Sequence, residues 1–98
     1  MNIQINSLHF KADKKLELFI SNKIEKLVKK YPDIIGADVL LKLDNTDDPM
    51  NKITEIKLII RGNDLFASKQ SKTFEEASDN AIDALKKQLE KYKTKLTK

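Results

Sequence analysis

The apolar residues of this chain change their spacing three times, and that succession of periods restricts the fold more than any single motif does. Ile3 and Ile5 alternate with Gln4 and Asn6, as in a half-buried strand over residues 2–7. Leu8 and Phe10 lead to Asp13, an N-cap for a helix whose apolar side comprises Leu16, Phe19, Ile20, Ile24, Leu27 and Tyr31. Pro32 ends that helix, because the residue before a proline is pushed out of the helical region. Leu18 lies off the stripe. After Gly36 the period of two returns, with Ala37, Val39, Leu41 and Leu43 on one face of a second strand. The loop DNTDDPMN follows, rich in turn formers. A third strand from about Ile53 to Arg61 turns Ile56, Leu58 and Ile60 inward and Glu55, Lys57 and Ile59 outward. Gly62, Asn63 and Asp64 supply a hairpin turn, and LFASK forms a fourth strand with Leu65 and Ala67 facing the core. Helical spacing then resumes from Thr73 to Lys98, with Phe74, Ser78, Ala81, Ile82, Leu85, Leu89, Tyr92 and Leu96 on the buried side. Thr73 is its N-cap, and Glu76 completes a capping box.

This pattern predicts an α+β fold in the order β-α-β-β-β-α, with a four-stranded mixed sheet and two parallel helices packed on one face. The first crossover makes strands one and two parallel neighbours, and the two later hairpins continue as an antiparallel meander. With 98 residues the chain forms a single domain, residues 1–98, burying roughly 65% of its unfolded surface. Leu40, Ile59 and Phe66 are left on the opposite sheet face among Gln4, Asn6, Lys42 and Lys57. Ordinary surface hydrophobicity accounts for that small patch; a weak partner-docking surface is the alternative.

Several chemistries lack their residues. The absence of cysteine excludes disulfide frameworks, thiolate catalysis and Cys-based zinc sites. His9 is the one imidazole, placed at a strand-helix junction where local hydrogen bonding is its expected role. Asp44, Thr46, Asp48 and Glu55 match alternate positions of a calcium loop, yet Pro49 stands where that loop needs glycine and Glu55 belongs to a strand. Gly36 and Gly62 are the only glycines, too few for a phosphate-cradling loop. No enzyme activity, cofactor, metal or small-molecule substrate is therefore expected. The opening MNIQINSLHF has no basic start followed by an apolar core, and no apolar run approaches the ~20 residues of a membrane span, so a cytoplasmic location is expected.

What remains is charge placement. A net charge of +4 and a pI near 9.2 suit an anionic partner, although a lysine-rich soluble protein would show the same totals. On the last helix Lys87, Lys91, Lys95 and Lys98 follow one flank while Glu75, Asp79, Asp83 and Glu90 gather on the other. Lys15, Lys23, Lys26, Lys29 and Lys30 lie mainly along one flank of the first helix. Such rows can follow a phosphate backbone with salt-sensitive affinity and little base readout. In parallel helices the same flank of each is basic, so the two rows need not merge. The aromatic residues Phe10, Phe19, Tyr31, Phe66, Phe74 and Tyr92 fall mostly on apolar stripes and form no stacking platform, which favours folded RNA over single strands.

The segment Ile82 to Leu96, IDALKKQLEKYKTKL, resembles the closing helix of the ribosome hibernation promoting factor family, also described as ribosome-associated translation inhibitors or sigma-54 modulation proteins. Its Ile-Asp pair, the basic Lys87 before Gln88-Leu89, and the alternating Lys91, Lys93 and Lys95 carry the likeness. Leu65-Phe66-Ala67-Ser68 and the series Lys23, Lys26, Leu27 add to it, and the pattern extends over the full length. The resemblance implies a βαβββα domain bound to the small ribosomal subunit along the messenger and transfer RNA channel. There it would inhibit translation and protect idle ribosomes in stress or stationary phase, as a ribosome-associated protein of the cytoplasm. Lys23, Lys26, Lys86, Lys87, Lys91, Lys93 and Lys95 would contact ribosomal RNA phosphates, with Gln88 either structural or reaching RNA. Family members often carry Asp-Met-Tyr or a similar trio entering this helix, where Thr73-Phe74-Glu75 stands here, so an RNA role for that tyrosine does not transfer. Ending at Lys98, the chain resembles the short type, and two expectations stand side by side: promotion of ribosome dimers together with a helper protein, or silencing of single ribosomes. A general double-stranded-RNA-binding module is the alternative reading, and a protein-interaction module using the open sheet face a third.

Overall fold

The computed structural model describes residues 2–8, 10–44 and 46–96, and the side chains of the last helix as far as Tyr92. Its elements are β1 (Asn2–Leu8), α1 (Lys14–Lys30), β2 (Ile34–Leu43), β3 (Lys52–Ile60), β4 (Asn63–Ser71) and α2 (Phe74–Leu96). The sheet order is β1-β2-β3-β4. β1 runs parallel to β2, pairing Ile3 with Ala37 and Ile5 with Val39. The β2–β3 and β3–β4 pairs are antiparallel, setting Ile56 opposite both Val39 and Ala67. Each helix reverses the direction of the strand before it, so the two run parallel, with α2 packed on β3 and β4 and against α1, as the succession of periods predicts. His9 and Lys98 lie outside the described residues.

Local chemistry fixes the helix starts. The Asp13 carboxylate accepts from the Leu16 backbone N–H at 2.8 Å, and the Thr73 hydroxyl accepts from that of Glu76 at 3.1 Å. α1 closes with the Tyr31 N–H donating to the Leu27 carbonyl at 2.9 Å, immediately before Pro32. Between the layers, Ile20, Ile24, Val39, Leu41, Ile56, Leu58, Leu85 and Leu89 are buried almost completely. Each such side chain contributes about 1.5–3 kcal/mol of transfer free energy. Leu18 points to solvent from the far side of α1.

Strand boundaries differ from the sequence reading at the start of β2, at the β3–β4 turn and at the end of β4. β2 begins at Ile34, before Gly36, because the pairing with β3 shifts between Ile34 and Gly36. This bulge turns Ile34 into the core and leaves Ile35 exposed, so strict alternation fails before Ala37. The β3–β4 turn is the two residues Arg61 and Gly62, since Ile60 already pairs with Asn63. Gly62 adopts φ of 82°, a backbone conformation that the missing Cβ permits. Asn63 and Asp64 therefore belong to β4, which extends to Ser71 rather than stopping near Lys69.

The 44–51 loop is closed by the Asp44 N–H donating to the Asn51 carbonyl at 2.8 Å. Gln70 reaches across from β4 to the Met50 carbonyl at 2.6 Å and to Asp44 at 3.2 Å. Asp48 accepts from the Met50 N–H at 2.9 Å, a local turn contact. Among the described residues no cluster of three or more potential metal ligands forms.

Candidate nucleic-acid interface

Parallel packing of α1 and α2 leaves a seam along the outer side of the helix layer. Lys23, Lys26, Leu27 and Lys30 line it from α1, and Ile82 and Lys86 from α2. On α1 the spacing i, i+3, i+7 keeps the three lysines on the flank turned toward α2. Leu27 and Ile82 are buried between the helices, and the aliphatic lysine stems extend outward past them. Three of the expected contact residues, Lys23, Lys26 and Lys86, thus share one groove. Lys30, which the sequence reading placed on the flank without assigning it a contact, joins them.

Lys23 is held on two sides. Its ammonium lies 3.0 Å from the carboxylate of Asp79 on α2 and 5.3 Å from the centroid of the Phe19 ring. Acidic residues on α2 were legible as a separate flank, but one of them reaches across to neutralise a lysine of α1.

Lys87 and Lys91 belong to the other side of α2. Lys87 borders a depression with Lys69, Asn80, Asp83 and Ala84, between the helix and the outer edge of β4. Lys91 borders a neighbouring one with Asn63, Leu65, Gln88 and Tyr92. The two lysine rows accordingly do not fuse; Lys86 is the residue through which α2 joins the α1 row. Lys69 is the addition here, and no sequence signal marked it, because an exposed lysine on an edge strand ordinarily only blunts pairing. The side chains of Lys93 and Lys95 lie outside the described residues. Gln88 donates to the Phe66 carbonyl at 2.9 Å, so its amide ties α2 to the free edge of β4.

The opposite sheet face has a different character. Phe66 is exposed and Leu40 and Ile59 are half-buried there, as the strand alternation predicts. Its lysines are engaged, Lys42 with Glu55 at 3.1 Å and Lys57 with Asp64 at 3.5 Å. No described helix is long and apolar enough to cross a membrane.

Solved structures share this two-layer α+β topology. A ribosomal subunit interface protein from Coxiella burnetii superposes with a TM-score of 0.85 at 19% identity, covering 96% of this chain and 99% of that one. The N-terminal domain of Protein Y from Thermus thermophilus gives 0.80, also at 19% identity, covering 94% of this chain and 99% of that one. No curated protein sequence matches. The chain belongs to the Sigma 54 modulation protein / S30EA ribosomal protein family, whose model matches residues 3–97, and it is thereby a ribosome-associated protein.

Proposed function

We propose that this chain is a non-enzymatic ribosome hibernation factor that occupies the messenger and transfer RNA channel of the small subunit. It holds ribosomal RNA phosphates, blocks translation by occupancy and stabilises idle ribosomes of the cytoplasm. The observation that carries the reading is the convergence of Lys23, Lys26, Lys30 and Lys86 from both helices on one seam, in a chain whose family is ribosome-associated. The helix pair carries these cations on successive turns of one groove, which suits the phosphates of a folded RNA. Lys87 and Lys91, with Lys93 and Lys95 further along α2, supply a second line of contacts on the β4 side.

The test is sucrose-gradient sedimentation of stationary-phase extract, followed by a cryo-EM map of ribosomes carrying the added protein. Co-migration with small subunits and density in the channel are expected. Migration as a free small protein, or equal affinity for arbitrary duplex RNA and for ribosomes, would overturn the reading, the latter in favour of a general duplex-RNA module.

A further inference from the structure

Beside the seam between the helices, a carboxylate of α2 meets one of the lysines that line it. Asp79 holds the Lys23 ammonium at 3.0 Å, with the two side chains 45% and 42% exposed, so the pair sits at the mouth of the groove rather than in the core. A lysine head has three donors. One is committed to Asp79, and the Phe19 ring, 5.3 Å away, confines the head further. A phosphate arriving at random meets a cation already neutralised and a carboxylate that repels it. A phosphate presented from the open side, by contrast, can take the remaining donors of a lysine already fixed in place.

We propose that Asp79 is a specificity-determining residue, which positions Lys23 and withholds its charge from polyanions that do not match the groove. This rests on the ribosomal RNA reading of the same seam. Discrimination then comes from a built-in repulsive element rather than from added attraction. Lys26, Lys30 and Lys86 supply the general pull, and the Lys23–Asp79 pair decides which RNA keeps it.

The experiment compares the whole chain with its Asp79→Asn variant, which keeps the shape and removes the charge. Affinity is measured across a KCl series for an arbitrary RNA duplex and for vacant small subunits. The variant should bind the duplex about two- to fivefold more tightly, the range an exposed ion pair commands. Its salt slope should steepen by roughly 0.7–0.9, one further counterion released. Affinity for small subunits should not rise, so the preference for them falls. Asp79→Glu should restore the original behaviour, and in a Lys23→Met background Asp79→Asn should no longer steepen the slope. Equal gains on both RNAs, or unchanged affinity and slope, would overturn the proposal. If the unmodified chain ignores small subunits, the ribosome reading fails by itself, and the duplex salt slope still decides whether Asp79 masks Lys23.

Discussion

The hydroxyls of Thr54 on β3 and Ser78 on α2 lie 3.2 Å apart, both fully buried, and form a hydrogen bond across the sheet-helix interface. Each satisfies the other in a place where water cannot. Ser78→Ala should therefore cost about 1–3 kcal/mol by orphaning the Thr54 hydroxyl. The double variant Thr54→Val with Ser78→Ala should recover much of that loss, since it leaves no buried polar group unpaired. Urea unfolding of the three variants checks this, and additive losses would contradict it.

Gln88 ties α2 to the Phe66 carbonyl, so its expected contribution is to stability rather than to RNA affinity. Gln88→Ala should lower unfolding free energy by about 0.5–1 kcal/mol, as for a solvent-accessible hydrogen bond. Affinity for ribosomes, measured by co-sedimentation, should stay unchanged. A loss of binding with intact stability would instead put the amide on RNA.

At the β3–β4 turn, Gly62 has φ of 82° and open space around the position a Cβ would occupy. Gly62→Ala should destabilise by about 1–2 kcal/mol through backbone strain alone, with no steric clash. Gly62→Asn should cost less, because asparagine visits this conformation more readily. Thermal unfolding of both variants reads the order.

Salt dependence separates the two faces of the molecule. Lys26→Gln should reduce the salt slope of ribosome binding by roughly 0.7–0.9, the loss of one phosphate contact. Lys57→Gln, on the sheet face beside Asp64, should leave the slope as it was. Equal changes in the two variants would remove the helix seam from the binding surface.

Where the chain followed one period without interruption, the sequence exposed the structure. Asp13, Thr73 and Pro32 marked helix ends through chemistry confined to a few neighbouring residues, and the buried stripes of both helices followed from spacing. The start of β2 was not visible, because the bulge at Ile35 reverses the inward and outward positions and only the pairing with Ile59 and Ile60 reveals it. The seam was half visible. Spacing placed Lys23, Lys26 and Lys30 on one flank of α1, but which α2 residue they meet depends on how the helices are rotated on the sheet. Packing of Ile82 against α1 brings Lys86 and Asp79 to that side and carries Lys87 away toward β4. No local pattern encodes that rotation.

The pairing of Lys42 with Glu55 and of Lys57 with Asp64, with Asp38 close by, leaves the sheet side with little field of its own. The lysines of the helix side, Lys23, Lys26, Lys30, Lys86 and Lys87, therefore meet little competing field from the sheet. Over the ~8–10 Å that a charge projects through physiological salt, a nearby polyanion exerts a torque on so lopsided a body. Tumbling near such a partner would be biased before first touch, bringing the molecule in with its helices leading.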